Sequence, residues 1–167
     1  MTRVAIVGCS GSGKTTLARS LHQRSGLPVH HLDRLFWKPG WVETSPQDFL
    51  PIVTQLTKGD RWIIDGIYGT SMEVRFAAAD TIVYLDLPRW RCILNTFGRF
   101  LRYRGRVAPN MPPGCVERFE WSFYRWIRDF QRTHRPGILA KLDRHATGRR
   151  IVILRSRREI ARFLAPA

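Results

Sequence analysis

Short apolar runs alternate with amphipathic stretches along the chain, and this pattern predicts strands alternating with helices. The runs are rich in β-branched residues and end at glycine, proline or aspartate, as buried strands do. The predicted strands are Val4–Val7, Val29–Leu32, Arg61–Asp65, Thr81–Leu85 and Ile151–Leu154. Strands separated by helices form a parallel sheet with helices on both faces. We therefore predict an α/β fold in one domain over residues 1–167, without linkers or repeats.

The predicted helices are marked by their end signals. Ser45, followed by Pro46 and Asp48, has the pattern of an N-cap, and Ser156 with Glu159 has that of a capping box. The helices cover about 14–24, 46–59, 89–102 and 116–134, with a last one after Ser156. Between the two longest lies a Pro/Gly-rich stretch, 105–114, for which a mobile segment and a rigid surface loop are equally favoured.

The turn after the first strand carries the strongest chemical signal. Residues 8–15, Gly-Cys-Ser-Gly-Ser-Gly-Lys-Thr, match the G-x-x-x-x-G-K-[ST] pattern of the P-loop, or Walker A motif. Its glycines let backbone N–H groups point at phosphate oxygens, and the next helix directs its positive end at the same anion. Lys14 is expected to reach the β- and γ-phosphates and Thr15 to bind Mg²⁺. The predicted nucleoside-triphosphate-binding residues are Gly8, Ser10, Gly11, Ser12, Gly13, Lys14, Thr15 and Thr16.

The three cysteines show neither a disulfide framework nor metal-ligand spacing. Cys92 and Cys115 are expected to be small apolar fillers. For Cys9, inside the phosphate loop, two interpretations stay open: an inert packing residue, or a thiol whose pKa is lowered by the helix N-terminus and whose modification blocks nucleotide binding. Reduced cysteines, the absence of a signal-peptide pattern and the absence of a membrane-length apolar run predict a cytoplasmic protein.

Three aspartates follow apolar runs and are expected at the carboxyl edge of the sheet, where ligands bind in such folds. Asp65 is our candidate to order a Mg²⁺-bound water, so the predicted metal site is Thr15 with Asp65. Asp33 is our candidate for acceptor binding or general base. Asp86 precedes Leu-Pro and favours a turn or capping role. For the pair His30 and His31, surface or core positions are favoured over metal binding.

The positive charge is concentrated in the second half of the chain. Of a net charge of +15, residues 84–167 carry +13, almost all of it from arginine. Arginines recur at helical spacing on both sides of the stretch 105–114, opposite apolar faces that we expect to be buried. The first such face is formed by Trp90, Leu94, Phe97 and Leu101. The arginine stripes fit three interpretations: convergence on the transferred phosphates, a solvated face, or a nucleic-acid surface.

These motifs resemble the P-loop kinases of the adenylate-kinase-like group, and most closely the bacterial proteins labelled DNA topology modulation proteins. The resemblance rests on the phosphate loop, on Trp62–Gly66, on Leu85–Pro88 and on the Arg-rich region. Further matching elements are Leu32-Asp33, Phe36–Trp41, Ile67-Tyr68, Gly114-Cys115 with Glu117, and Leu154–Glu159. Together they cover most of the chain.

The resemblance implies a three-layer α/β/α fold whose five-stranded parallel sheet has the order 2-3-1-4-5. It also implies ATP as donor, an acceptor region at about 33–60, and an Arg-rich helical lid at about 99–125. Asp65 matches the Mg²⁺-water aspartate of these kinases, and Arg99, Arg125 and Arg128 fall where lid arginines contact phosphates. Ile67-Tyr68 replaces the Phe-Pro-Arg that grips a monophosphate, which weighs against AMP as acceptor.

We therefore expect an ATP- and Mg²⁺-dependent phosphotransferase acting on a small acceptor, with Lys14, Asp33, Asp65, Arg99, Arg125 and Arg128 as catalytic residues. The alternative is an ATP-binding regulator of DNA topology that binds duplex through its basic second half. A nucleic-acid partner is possible but not favoured, and no membrane association is expected.

Overall fold

The computed structural model describes residues 1–165, so the last two residues of the expected domain lie outside the described part. Residues 1–165 contain seven strands: β1 (Arg3–Gly8), β2 (Val29–His31), β3 (Trp37–Lys38), β4 (Val42–Glu43), β5 (Trp62–Asp65), β6 (Thr81–Leu85) and β7 (Arg150–Leu154). Five of them form one parallel sheet in the order β2-β5-β1-β6-β7. This numbering differs from the expected 2-3-1-4-5, because the strands of an unpredicted hairpin, β3 and β4, come third and fourth along the chain.

Eight α-helices connect and cover the strands within the described residues. They are α1 (Lys14–Ser25), α2 (Leu32–Phe36), α3 (Pro46–Thr57), α4 (Met72–Ala78), α5 (Arg89–Tyr103), α6 (Trp121–Thr133), α7 (Arg135–Arg144) and α8 (Arg157–Leu164). A 3₁₀ turn at Gly69–Ser71 precedes α4. The expected N-caps are present, because the hydroxyls of Ser45 and Ser156 each accept a backbone N–H three residues on, at 3.2 Å.

Side chains of the central strands alternate between two separate cores, which makes the fold three-layered. One core contains Ala5, Val7, Ile64 and Ile82, together with residues of α3, α4, α6 and α7. The other contains Val4, Ile6, Ile63 and Val83, packed against α1 and α8. Both faces of the sheet are therefore buried, as a parallel sheet requires.

Helix α5 is turned opposite to the expectation from its amphipathic pattern. Its apolar stripe, Trp90, Leu94, Phe97 and Leu101, is exposed to solvent, so our prediction that it is buried is wrong. The buried residues of this helix are the small Cys92 and Thr96. They face the phosphate loop, and this close approach leaves the bulky stripe on the outside.

Three of the helices in residues 1–165 were not expected as separate elements. The first is α2, which begins at Leu32, a residue that we had placed in the second strand. The second is α4, and the third is α7, which begins at Arg135 directly after α6 ends. Across residues 1–165, every helix is too short or too polar to cross a lipid bilayer.

Candidate active site

The phosphate loop lies between β1 and α1, at the carboxyl edge of the sheet. Gly11 and Gly13 adopt left-handed φ values of +74° and +94°, which residues with a Cβ rarely adopt. The backbone N–H of Ser12 donates to Cys9 O at 3.2 Å, and Lys14 Nζ donates to the same oxygen at 2.8 Å. The Lys14 ammonium group is thus held over the loop whose backbone N–H groups would bind a phosphate.

Asp65, at the end of β5, connects three segments of the chain. Its side chain is 4% exposed, and Oδ2 accepts a hydrogen bond from the Thr15 hydroxyl at 3.2 Å. Oδ1 accepts one from His31 Nδ1 at 2.7 Å. Hydroxyl and carboxylate oxygens side by side are the donor set that suits Mg²⁺, so Thr15 and Asp65 fit the predicted metal site chemically.

Asp33 lies on α2, at the same edge of the sheet. Its Oδ1 accepts a hydrogen bond from the Tyr68 hydroxyl at 2.6 Å. Burial raises the pKa of the Tyr68 phenol, and the charge of Asp33 raises it further. The phenol therefore stays protonated and holds the carboxylate in one position.

The backbone that carries Tyr68 is fixed by a fully buried arginine. Arg75 donates to the carbonyl oxygens of Gly66 at 2.9 Å, Tyr68 at 3.1 Å and Ser71 at 3.2 Å. Burial lowers the pKa of this guanidinium to about 10, which leaves it charged at neutral pH. Its three hydrogen bonds therefore hold the segment between β5 and α4 in one conformation.

A cavity of about 690 Å³ extends from the phosphate loop past Asp33. Ser10, Lys14 and Asp33 line one part of it. The hairpin, the segment around Tyr68, the chain between Arg99 and Glu120 and the start of α6 supply most of the remaining wall. The geometry thus brings three of the predicted loop and acceptor residues to one space, with Thr15 and Asp65 in contact beside it.

Helix α5 braces the phosphate loop. Asn95 Nδ2 donates to Gly11 O at 2.8 Å, and Asn95 Oδ1 accepts from Arg157 at 3.1 Å. A Cβ on Gly11 would collide with the Cys92 carbonyl oxygen and the Thr96 hydroxyl. This glycine is therefore required by packing as well as by backbone conformation.

Cys9 is buried and faces Cys92 across this contact. The hydrogen bond to Cys92 and burial raise the pKa of the Cys9 thiol. The charge of Lys14 and a backbone hydrogen bond at Ser10 lower this pKa but do not outweigh these effects, so the lowered pKa that we considered for Cys9 is wrong. The inert packing role is the one that this environment supports.

The three candidate arginines lie in different surroundings. Arg99 lines the cavity, where its Nε and Nη2 donate to Glu117 Oε1 at 3.2 and 3.1 Å. Arg125 and Arg128 are exposed on α6, and Arg128 pairs with its neighbour Asp129 at 2.9 Å. Thr16, the last predicted loop contact, is also exposed.

Asp86 is buried, and its carboxylate is held by Arg135 through hydrogen bonds of 2.9 to 3.1 Å. This ion pair joins the end of β6 to the start of α7, and Pro88 stands at the N-cap of α5. The turn or capping role that we expected for Asp86 is thus replaced by an ion pair.

The stretch 105–114 packs against the hairpin. Gly40 N donates to Gly114 O at 3.2 Å, and Trp41 Nε1 donates to Val116 O at 2.9 Å. Ala108, Met111 and Cys115 form a small core with Trp37, Trp41 and Tyr103. Of our two interpretations, a packed surface segment describes this arrangement.

Two solved structures show which fold class this is. Shikimate kinase from Acinetobacter baumannii, in complex with shikimate, has a TM-score of 0.60 and 16% identity, with coverage of 98% of this chain and 89% of that one. An unliganded sugar kinase from Janibacter sp. HTCC2649 has a TM-score of 0.51 and 22% identity, with coverage of 98% and 93%. The chain therefore has the α/β fold of P-loop kinases. The sequence matches no protein-family model and no curated protein.

Sequence reasoning missed several residues that the fold brings to the site. His31 was assigned a surface or core position, yet it contacts Asp65. Arg75, Asn95 and Glu117 were given no role at the site, because their partners lie on other elements. The one available signal was position: His31 ends the strand that pairs with Asp65 in the sheet.

Proposed function

We propose that the protein is an ATP-dependent phosphotransferase that moves the γ-phosphate to a hydroxyl of a small acceptor. The observation that carries the proposal is the shared cavity, which Lys14 of the phosphate loop and Asp33 both line. Phosphoryl transfer is mostly positioning and charge stabilisation, so it needs a phosphate site and an acceptor group in one space. The two structural neighbours, a shikimate kinase and a sugar kinase, support the same class of reaction.

On the donor side, Thr15 and Asp65 would hold Mg²⁺, with His31 orienting the carboxylate. A bound Mg²⁺ would neutralise part of the polyphosphate charge. Lys14, which now donates to Cys9 O, would exchange that carbonyl for the β- and γ-phosphate oxygens. The loop from Gly8 to Thr16 would supply backbone N–H groups to the same oxygens.

On the acceptor side, Asp33 would receive the hydroxyl proton while Tyr68 holds its other oxygen. The hydroxyl oxygen forms a bond to the γ-phosphorus as the bond to the β–γ bridging oxygen breaks. ADP leaves with the electron pair of that bond. The products are the phosphate monoester, ADP and one proton, so the step balances without another reactant.

We further propose that residues 99–125 act as a lid over the cavity and that residues 33–60 form the acceptor region. The contact of the segment 105–116 with the hairpin supports this assignment. Arg99 is at the cavity wall already, whereas Arg125 and Arg128 would need the segment to move inward before they contact phosphates.

Within this class, the motifs of the acceptor region and the C-terminal segment lead us to propose the group labelled DNA topology modulation proteins. The three free cysteines are compatible with the cytoplasmic location that we propose. Duplex-DNA binding is the alternative function, but both structural neighbours are kinases.

The proposal is tested with Lys14→Ala and, as a matched control, Lys58→Ala. Lys58 carries the same charge but is exposed at the end of α3, away from the cavity. ADP release is followed with Mg²⁺, ATP and a panel of hydroxylated acceptors that includes shikimate and hexoses. Loss of one key phosphate donor is expected to lower acceptor-dependent turnover by about 10²–10³-fold. Equal turnover of the two variants, or no Mg²⁺-dependent ATP binding by calorimetry, would refute the proposal.

A further inference from the structure

The end of the cavity away from the phosphate loop has the opposite charge from the molecule as a whole. The chain carries +15, yet carboxylates outnumber guanidinium groups in this wall. The carboxylates of this wall are Glu43, Glu117 and Glu120, and the guanidinium groups are Arg99 and Arg118. A concave wall with this excess attracts cations and repels anions.

Both guanidinium groups are already paired with carboxylates of the same wall. Arg99 donates to Glu117, and Arg118 lies 3.4 Å from Glu120. An arginine that is paired in this way is poorly placed to grip a phosphate or carboxylate of an acceptor, since it would first have to give up its partner.

Several carboxylate oxygens of the wall are uncommitted. Glu117 is buried, and its Oε2 has no hydrogen-bond partner within residues 1–165. Glu43, at the end of the hairpin, forms no ion pair in the described part of the chain. A buried carboxylate oxygen without a donor is costly, so a ligand that brings N–H groups is favoured here.

Aromatic rings form much of the remaining wall. They are Trp37, Trp41, Tyr68, Phe123 and Trp126. Trp37 and Trp41 meet edge to face with centroids 5.3 Å apart, and Phe123 lies parallel to Trp126 at 6.0 Å. Indole and phenol rings beside carboxylates are the combination that binds ammonium groups, because the ring faces carry negative potential.

We propose that the acceptor is a hydroxyl compound carrying a cationic amino or ammonium group, such as an amino sugar or an amino alcohol. This inference rests on the proposed phosphotransferase function and names its substrate class. The hydroxyl lies by Asp33 near Lys14, while the cation occupies the wall of carboxylates and rings. The transfer step keeps the balance given above, with the amino group unchanged.

Two matched probe sets test the inference by tryptophan-fluorescence titration in the presence of Mg²⁺ and ADP. The first is glucosamine, glucose and glucuronate, which share a ring and differ in charge. The second is choline and 3,3-dimethylbutan-1-ol, which share a shape and a hydroxyl. The cationic member of each set is expected to bind about tenfold more tightly than the neutral one, and glucuronate most weakly.

Charge reversal at the wall provides the second measurement. Glu43→Lys is expected to remove the preference for glucosamine over glucose, whereas Asp60→Lys, an exposed control outside the cavity, keeps it. ATP affinity is measured on the same samples. Binding of ATP with no cationic preference, or with tighter glucuronate binding, would overturn this inference alone. Failure to bind ATP would overturn the proposed function and the inference with it.

Discussion

Asp65 is hydrogen-bonded to residues from two distant segments of the chain. Its two carboxylate oxygens are divided between Thr15, from the phosphate loop, and His31, from the neighbouring strand. A carboxylate that is fixed on one side presents its other oxygen in a defined direction. At the proposed Mg²⁺ site the histidine would act on the ion only through Asp65, as the outer partners of metal ligands do.

Replacing His31 by alanine should therefore weaken Mg²⁺ use while leaving the fold intact. We expect the Mg²⁺ concentration for half-maximal activity to rise by about 10–100-fold, which is typical for loss of such an outer partner. Mg²⁺ titrations of ADP release measure this. His30→Ala is the control, because the adjacent ring is not bonded to Asp65. A Mg²⁺ dependence that is unchanged in His31→Ala would contradict the positioning role.

At the scale of elements, α5 shows where a periodic pattern misleads. The sequence pattern located this helix correctly, but the stripe that we expected inside faces solvent. Burial of α5 is decided by Cys92 and Thr96, whose small side chains allow contact with the phosphate loop. Hydrophobic periodicity cannot report such a contact, since it depends on a glycine about 80 positions away.

Gly11→Ala tests this contact. The new Cβ would collide with the backbone of α5. In addition, the left-handed φ of +74° at position 11 is strained for alanine. Gly26→Ala is the matched control, because Gly26 has a similar φ of +67° with open space around it. The strain alone costs about 1–2 kcal/mol, and overpacking adds about 1–3 kcal/mol at Gly11 only. Denaturant unfolding should therefore show a larger loss of unfolding free energy for Gly11→Ala than for Gly26→Ala. Equal losses would contradict the prediction, because they would mean that α5 shifts to accommodate the Cβ without cost.

Helices α4 and α7 are joined by a charge cluster whose effect depends on pH. Hydrogen bonds from Lys141 and His145, with the charges of Lys141 and Arg144, lower the pKa of Glu73 from 4.5 to about 2. A lowered carboxyl pKa stabilises the folded state above the unfolded pKa, and this contribution is lost as pH falls toward the folded value.

Glu73→Gln should accordingly cost stability at neutral pH and almost nothing once the pH falls below about 2. Glu73 is partly exposed, so we expect only about 0.5–1 kcal/mol at pH 7, shrinking below about pH 4.5. Urea unfolding of both proteins across this pH range gives the difference. Asp60→Asn is the control, since the exposed Asp60 forms no ion pair among residues 1–165. A difference that persists unchanged at low pH would exclude the ionic origin.

At the scale of the whole molecule, the sequence predicts the parts that are local. The phosphate loop and the N-cap at Ser45 depend on residues that are neighbours in the sequence, and the five strands of the main sheet are predicted by short apolar runs. The hairpin at 37–43 was missed, because its two-residue strands lack any repeat from which to infer pairing. The contacts of His31 with Asp65 and of Glu117 with Arg99 were missed for another reason: they depend on how distant elements pack.

The salt dependence of ligand binding distinguishes the two candidate functions, because most of the positive charge lies in the second half of the chain. Duplex DNA bound by the basic second half would release counterions, and six or more phosphate contacts would cost about 10³-fold in affinity between about 50 and 200 mM salt. ATP in a pocket with a few fixed donors should change far less. We therefore expect fluorescence anisotropy of labelled duplex to lose its signal at the higher salt while calorimetric ATP affinity is kept.

Lys14→Ala should abolish ATP binding and leave the low-salt DNA signal unchanged, because that signal reflects net charge. Duplex binding that survives the higher salt and is strengthened by ATP would instead favour the nucleotide-responsive regulator.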